Sequence, residues 1–223
     1  MYNFKKIKYK KDTRVSPGEE QTFLDGNHED FATVKAKYEW LAKNTNYGAS
    51  NGHDGCIHRA NIVKPFLQKN NFNSALDIGT GQGYFCNILK EYCETVYGLD
   101  FAIKPASEKK PYFTYINKDI KFINSDAHAI PLEDNSVELI TSFDFLEHVH
   151  PDYLEKTIKE MFRVGSKYML HSIYTGPSSS HFKQCGQLHV IQESVRKFWK
   201  KEVFEPHAKS VEYLGRHTLG III

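Results

Sequence analysis

The chain has 223 residues, of which 40% are hydrophobic and 25% charged, and 29 Lys and Arg against 27 Asp and Glu give a formal net charge of +2. This length suits one ordinary domain, alone or with an appended lid, and the composition is that of a globular protein. The near-neutral charge gives no reason to expect nucleic acid or an anionic membrane as partner. No run reaches the roughly 18 apolar residues of a membrane span, and the first residues lack the apolar core of a secretory signal.

The cysteines indicate a reducing compartment. None of them belongs to a C-x-x-C pair, which argues against a zinc knuckle or a thioredoxin-like site. We therefore expect free thiols and a cytoplasmic location. His53, Cys56 and His58 lie close in sequence, but a fourth ligand is missing nearby, so the spacing does not support a zinc site.

Residues 1–72 are predicted to form an arm and a helical lid. Residues 1–26 carry a basic cluster and then Pro17 and Gly18, a pattern typical of a loosely docked arm. Apolar residues at three- and four-residue spacing predict a helix over residues 27–44. A second helix is predicted over residues 55–69, and Pro65 should kink or split it.

From residue 73 onward, apolar strand-like runs alternate with helical patterns. This alternation predicts a mostly parallel sheet with helices on both faces. Two closing runs without a helix between them predict a reversed last strand at the sheet edge, with residues 221–223 paired and buried. The expected fold is an α/β core of seven strands over residues 73–223, preceded by the lid. The predicted strands are 75–79, 95–100, 120–124, 137–143, 167–174 and two between 211 and 223, and the predicted helices are 84–92, 152–163 and 188–202.

The most informative segment is the glycine-rich turn Asp77-Ile78-Gly79-Thr80-Gly81-Gln82-Gly83-Tyr84, between the first strand of the sheet and its first helix. Glycines there let the backbone approach a ligand, and the free amides at the helix start point toward it. A dinucleotide site has G-x-G-x-x-G, whereas here the third glycine comes one residue early and Tyr84 takes its place. The turn therefore predicts a ligand site, but not one for a dinucleotide.

Acidic residues stand at the ends of three successive strands. Asp77 is placed to orient the turn and to meet a cationic amino group, and Asp100 ends the second strand, where a carboxylate accepts hydrogen bonds from ribose hydroxyls. Asp126 follows the third strand and is placed to accept a hydrogen bond from an adenine amino group. A ligand with an ammonium, a ribose and an adenine suits this set, and S-adenosylmethionine is such a ligand.

These segments resemble the class I S-adenosylmethionine-dependent methyltransferases, in particular their small-molecule branch. Residues 76–83 match the first motif of that family, residues 98–100 its ribose-binding position, and residues 126–132 its adenine-binding segment. Residues 134–149 look like its fourth-strand block. The cofactor-binding residues that the resemblance implies are Asp77, Gly79, Thr80, Gly81, Gly83, Asp100, Phe101, Asp126, Ala127 and Ser142.

The resemblance also implies a small-molecule methyl acceptor, methylated on oxygen or nitrogen. Such a nucleophile must be held in line with the methyl group and can need a general base. Asp144, Glu147 and His148 fall at i, i+3 and i+4, so a helical turn would place them on one face. We name His148 and Asp144 as candidate catalytic residues. The run also resembles the E-x-x-E-H of ubiquinone-pathway O-methyltransferases, which can hold a divalent cation, and Asp in the first position leaves a metal undecided.

Further side chains and segments are candidates for substrate contact or closure. His171, Tyr174 and His189 lie at or after the fifth strand, whose carboxyl end should face the substrate. The Ser- and Gly-rich loop over residues 175–187 is a candidate lid. Residues 27–58 are predicted to cap the cofactor.

Two other function classes stay open. One is a non-catalytic S-adenosylmethionine-binding or scaffold protein, and the other is a nucleic-acid or protein methyltransferase whose basic arm docks the macromolecule. The segment after the fourth strand lacks [ND]-P-P-[YFW], and no proline is followed by cysteine, which disfavours nucleic acid as substrate. The oligomeric state is not readable from the sequence.

Overall fold

The computed structural model describes residues 35, 36, 38, 39, 52–102, 118–175, 191 and 194–223. The strands are β1 (Phe72–Ile78), β2 (Cys93–Asp100), β3 (Lys121–Asn124), β4 (Val137–Phe143), β5 (Gly165–Ser172), β6 (Ser210–Tyr213) and β7 (Thr218–Ile222). The helices are α1 (Gly52–Lys69), α2 (Tyr84–Lys90), α3 (Pro151–Val164), a 3₁₀ turn (Leu146–His148) and a π-helical segment (Val195–Phe204). Lys35, Ala36, Tyr38 and Glu39 are also helical.

The described strands form one seven-stranded sheet in the order β3-β2-β1-β4-β5-β7-β6. Strands β1 to β5 pair in parallel, and β7 runs antiparallel to both β5 and β6. The predicted mostly parallel sheet with a reversed last strand is thus confirmed. The prediction that the reversed strand forms the edge is wrong, because β7 inserts between β5 and β6. Leu219 and Ile221 of β7 are fully buried, because β7 has a neighbouring strand on each side.

Helices cover both faces of the sheet, as predicted. Successive residues of a strand point to opposite faces. Leu76 and Ile140 belong to a hydrophobic cluster with α3 and the π-helical segment. Their neighbours Ala75 and Leu139 belong to a second cluster with α1 and α2. The sheet is therefore the middle of three layers, with one core on each side.

Helix α1 is continuous, so the predicted split at Pro65 is wrong. Pro65 and Asn61, whose carbonyl loses its N–H partner to the proline, are both exposed. Water can therefore satisfy that carbonyl at little cost. Ala60, Val63 and Leu67 lie on the buried face and attach α1 to the core.

Two other predicted helices differ in extent or type. Helix α2 ends at Lys90, two residues earlier than expected. Near the end of the chain, the expected helix over residues 188–202 appears as the π-helical segment, and residues 188–190, 192 and 193 lie outside the described part. None of the helices in the described ranges is both long and apolar enough to cross a membrane.

Candidate functional site

Three left-handed backbone conformations shape the glycine turn after β1. The φ angles are +73° at Gly79, +52° at Gly81 and +78° at Gly83. A Cβ at Gly79 would lie 2.3 Å from Phe145 Cδ2, and a Cβ at Gly83 would lie 2.5 Å from Phe122 Cζ. A Cβ at Gly81 would meet nothing within 4 Å. The turn is closely packed at both ends and open in the middle, where a ligand can approach the backbone.

Asp100, at the end of β2, is bonded to this turn. Its Oδ2 accepts a hydrogen bond from Gly81 N at 2.9 Å, and its Oδ1 accepts one from Ala102 N at 2.8 Å. The N–H of Gly79 donates to the carbonyl of Leu99 at 2.8 Å. These hydrogen bonds hold the turn and the end of β2 together.

A pocket opens beside this unit, next to the point where the strand order reverses between β1 and β4. Ligands of open α/β sheets bind at such a point. The pocket encloses about 1000 Å³ of free space including its open mouth. The predicted site residues that line it are Gly79, Gly81, Asp100, Phe101, Ala127, Asp144 and His148. Lining residues that sequence reasoning did not assign are Tyr38, Gln82, Leu99, Ala102, Ser125, His128, Phe145, Val149, His150, Tyr153 and Thr157.

The other predicted cofactor residues lie behind or beside this lining; they are Asp77, Thr80, Gly83, Asp126 and Ser142. Asp77 is buried and accepts a hydrogen bond from Thr141 Oγ1 at 2.8 Å. Burial raises the pKa of Asp77 to about 7. Asp77 therefore supports the turn from beneath it.

Ser142 and His171 form a buried pair in the sheet. Ser142 Oγ lies 2.8 Å from His171 Nδ1, and both residues are fully buried. The His171 ring stacks on Phe204 with ring centres 5.1 Å apart, and burial lowers the pKa of His171 to about 3. His171 is thus a neutral core residue and does not line the pocket.

Two residues of the N-terminal segment lie against the pocket. Lys35 Nζ is 3.0 Å and 3.1 Å from the two carboxylate oxygens of Asp126, and 5.6 Å from the centre of the Phe101 ring. Tyr38 Oη lies 2.9 Å from His148 Nδ1. The rings of Tyr38 and Phe101 meet edge to face at 6.2 Å. Most of the predicted cap, residues 27–58, lies outside the described residues.

The predicted catalytic residues follow β4. Asp144 has a left-handed φ of +50° and forms an ion pair with Arg59 of α1. The helical turn expected here is a 3₁₀ turn that begins only at Leu146. The expectation that Asp144, Glu147 and His148 share one face is wrong, because three residues per turn direct Glu147 into the core while Asp144 and His148 line the pocket.

Glu147 connects three separate parts of the chain. Its Oε1 accepts a hydrogen bond from Tyr174 N at 2.9 Å, and its backbone carbonyl accepts one from Ile191 N at 2.9 Å. Its Oε2 is buried and has no hydrogen-bond partner among the described residues. Burial raises the pKa of Glu147 to about 7, and the Arg59 charge opposes the rise. Glu147 and Tyr174 therefore meet behind the pocket.

Helix α3 holds the segment after β3. Glu160 Oε2 accepts a hydrogen bond from Ile130 N at 2.8 Å, and Arg163 Nη2 donates to the carbonyl of Ile130 at 2.8 Å. Arg163 Nη1 also donates to the carbonyl of Leu132 at 2.8 Å. The sequence shows the E-x-x-R spacing of Glu160 and Arg163, but it does not show which loop these two side chains bind.

The described side chains do not gather around a metal position. No group of three or more His, Cys, Asp and Glu in the described part is placed to hold a metal ion. Asp144 has Arg59 as its counter-ion, and Glu147 points away from the pocket. His189 lies outside the described residues, as do the side chains of His53 and Cys56.

Comparison with known proteins adds to this geometry. The model of a methyltransferase domain family matches residues 76–167, less than half of the chain. No curated protein matches the chain at a significant level of sequence similarity.

Several solved structures share the fold. A S-adenosylmethionine-dependent methyltransferase from Aquifex aeolicus has 21% identity over 73% of this chain and 87% of that chain, with a TM-score of 0.51. The N-methyltransferase NodS from Bradyrhizobium japonicum, in complex with S-adenosyl-L-homocysteine, has 14% identity over 85% of this chain and 96% of that chain, with a TM-score of 0.56.

Other similarities are narrower. A protein of Anabaena variabilis has 21% identity over 53% of this chain and 45% of that chain, with a TM-score of 0.42. The chain likewise spans about half the length of similar proteins from Bacillus halodurans and Bacillus subtilis, 54% and 51%. The family match, the strand order and the glycine turn agree, and residues 76–167 of this chain are similar to a methyltransferase domain.

Proposed function

We propose that this chain transfers the methyl group of S-adenosylmethionine to an oxygen or nitrogen atom of a small molecule. The proposal rests on one pocket that joins the open glycine turn and Asp100 to His148. The glycine turn and Asp100 suit a cofactor that contains a nucleoside, and the imidazole of His148 can take a proton. When bound, the cofactor supplies an electrophilic methyl group on a sulfonium.

The glycine side of the pocket fits this cofactor. The open space at Gly81 admits a ligand close to the backbone. The carboxylate of Asp100 accepts hydrogen bonds from Gly81 N and Ala102 N, and it stands at the end of β2, where a carboxylate can accept hydrogen bonds from ribose hydroxyls. We assign direct contact to Gly79, Gly81, Asp100, Phe101, Asp126 and Ala127, and support of the turn and strand ends to Asp77, Thr80, Gly83 and Ser142.

His148 is the proton acceptor in this proposal. Asp144 also lines the pocket, but its carboxylate is ion-paired with Arg59. We therefore give His148 the proton of the acceptor's O–H or N–H. Asp144, fixed by Arg59, borders the acceptor and helps to place it.

A small acceptor is favoured over nucleic acid. The described residues that line the pocket include no Lys or Arg. Sites that bind a nucleic-acid strand have a positively charged groove along the backbone. The basic segment within residues 1–26, which would serve a macromolecular substrate, lies outside the described residues.

The domain boundary and the location complete the proposal. We place a cap in residues 1–72 and the catalytic core in residues 73–223. Helix α1 belongs to the first range and packs against the core. Cys86 and Cys93 are buried thiols, which supports a reducing, cytoplasmic location.

Calorimetric titration with S-adenosylmethionine, S-adenosylhomocysteine and NAD, each alone, tests the cofactor. We expect binding of the first two and none of NAD. Binding without turnover of any acceptor in a screen of small hydroxyl and amine compounds would favour the non-catalytic alternative. Absence of binding by both S-adenosyl compounds would refute the proposal.

Asp100→Ala tests the ribose assignment. Loss of the carboxylate should weaken S-adenosylhomocysteine binding by roughly 1.5–3 kcal/mol, because charge-assisted hydrogen bonds are lost. Asp100→Asn keeps one acceptor oxygen and should have the smaller effect. Thermal unfolding of both variants shows whether the glycine turn survives. Unchanged affinity in folded Asp100→Ala would remove Asp100 from the site.

A further inference from the structure

Tyr38 and His148 form a side-chain pair that joins the N-terminal segment to the methyltransferase domain. Tyr38 Oη lies 2.9 Å from His148 Nδ1, across 110 residues of sequence. The two rings meet edge to face, with centres 5.9 Å apart and planes at 78°. Tyr38 is only 8% exposed, and both residues line the pocket. The contact is therefore a sheltered tertiary contact at the site.

The chemistry of imidazole makes this contact consequential. A neutral ring carries its proton on one nitrogen, and only the other nitrogen can take a further proton. The hydrogen bond made at one nitrogen decides which form is present. A phenol oxygen at Nδ1 can accept the Nδ1–H of both the neutral and the protonated ring. It can thus hold the ring before and after a proton is transferred.

The two carboxylates near His148 in sequence have other partners. Asp144 is ion-paired with Arg59. Glu147 accepts a hydrogen bond from Tyr174 N and is buried behind the pocket. A carboxylate is the common partner that orients a catalytic histidine. Here the geometry gives that position to a phenol from outside residues 76–167.

We propose that Tyr38 is a positioning residue that accepts the Nδ1–H of His148 and thereby makes Nε2 the proton-accepting atom. This inference rests on the proposed function. The proton leaves the acceptor's O–H or N–H and is taken by the Nε2 lone pair, and the imidazolium keeps its Nδ1–H on the Tyr38 oxygen. The imidazolium later returns its proton to water, so the pair is unchanged over a cycle.

The tautomer of His148 can be measured without an acceptor. Long-range ¹H–¹⁵N correlation spectra of the full-length chain, labelled on histidine, report which ring nitrogen carries the proton. His148→Gln identifies the signals of His148. Spectra are recorded above the ordinary titration range of histidine, with and without S-adenosylhomocysteine. We expect Nδ1–H and an unprotonated Nε2 in the wild-type protein.

Tyr38→Phe keeps the ring and removes the oxygen. His148 should then shift toward the Nε2–H tautomer. Tyr153→Phe, which removes another hydroxyl from the same pocket, should leave the signals of His148 unchanged. A wild-type His148 protonated on Nε2, or identical spectra in wild-type and Tyr38→Phe, would overturn the inference. The wild-type spectrum alone shows which nitrogen of His148 carries the proton, so this part of the test holds even if Tyr38→Phe does not fold.

Failure of this inference and failure of the proposed function give different results. If S-adenosylhomocysteine does not bind the wild-type protein, the proposed function fails whatever the tautomer. If it binds and Tyr38→Phe leaves the spectra of His148 unchanged, only the role of Tyr38 fails. Once an acceptor is found, Tyr38→Phe should lower kcat roughly tenfold with little change in KM, since positioning of a general base acts on the chemical step.

Discussion

At Gly81 the absence of a side chain leaves the glycine turn open. Gly81→Ala places a methyl group in empty space next to the pocket, at a φ of +52°. We expect a folded protein that loses about 1–2 kcal/mol of stability from the left-handed backbone. Its affinity for S-adenosylhomocysteine should fall roughly tenfold or more, because the methyl group stands where the cofactor approaches. Calorimetry and thermal unfolding measure the two effects.

Gly79→Ala is the matched variant for comparison. Its Cβ would lie 2.3 Å from Phe145 Cδ2, so the cost should appear mainly in stability, roughly 2–4 kcal/mol. The two variants thus distinguish two roles of the turn: Gly81→Ala tests ligand access, and Gly79→Ala tests packing. Wild-type affinity in Gly81→Ala would show that the cofactor does not approach the turn there.

Glu147 makes the stability of the fold depend on pH. Its carboxyl has an ordinary pKa of 4.5 and a folded-state pKa of about 7, because it is buried. Between these values the folded state keeps a proton that the unfolded state has lost. The free energy of unfolding therefore falls as pH rises from about 4.5 to about 7. Asp77, with a folded-state pKa of about 7, acts in the same direction.

Glu147→Gln removes the share of this pH dependence that comes from Glu147. The amide keeps an acceptor for Tyr174 N and carries no charge at any pH. We measure the free energy of unfolding of both proteins in urea. As the pH rises from about 5 to about 8, this free energy should rise in the variant relative to wild type by roughly 1–3 kcal/mol. The exposed Glu133→Gln serves as control and should show the wild-type slope. A wild-type slope in Glu147→Gln would mean that Glu147 is charged in the folded protein.

Among the elements, the 3₁₀ turn after β4 separates neighbouring side chains. Within three residues it directs His148 into the pocket and Leu146 and Glu147 into the interior. An α-helical turn at the same place would have grouped Glu147 with His148 and Asp144. The tighter turn thus places His148, the proposed proton acceptor, in the pocket and Glu147 where it anchors Tyr174.

The N-terminal segment contacts the pocket through Lys35 and Tyr38. Deletion of residues 1–44 removes their contacts with Asp126 and His148. It leaves α1 and the sheet, whose packing holds the core. We expect the shortened chain to bind S-adenosylhomocysteine at least about threefold more weakly, because the pocket loses its cover. Deletion of residues 1–26 alone is the control and should leave the affinity unchanged. Equal affinity of both shortened chains would exclude a cap in residues 27–44.

At the scale of the whole molecule, β7 ties the end of the chain into the sheet. Ile221 is fully buried and pairs with Met169 of β5 and Val211 of β6. Ile221→Ala should cost about 2–5 kcal/mol in urea unfolding, because a cavity opens in the larger core. Ile222→Ala, at a partly exposed position of the same strand, should cost clearly less. Similar costs at both positions would contradict the deeper burial of Ile221 in the larger core.

Local sequence patterns determined the number of strands and their order along the chain. Alternating apolar runs and helical spacing depend on a few consecutive residues, so β1 to β5, α3 and the closing pair were predictable close to their observed places. The glycine turn was predictable for the same reason, since the positive φ angles at Gly79, Gly81 and Gly83 strongly favour glycine. The position of Asp100 followed from the end of β2.

Contacts between distant residues were decided only by the tertiary structure. Lys35 meets Asp126 across 91 residues, and Tyr38 meets His148 across 110. Neither spacing leaves a periodic signal, because such contacts depend on how whole elements pack. The same holds for the place of β7 and for the burial of Glu147, which depend on what lies on each side of a strand or turn. The sequence by itself therefore determined the class of fold and the glycine turn, and packing across the chain decided which side chains face the pocket.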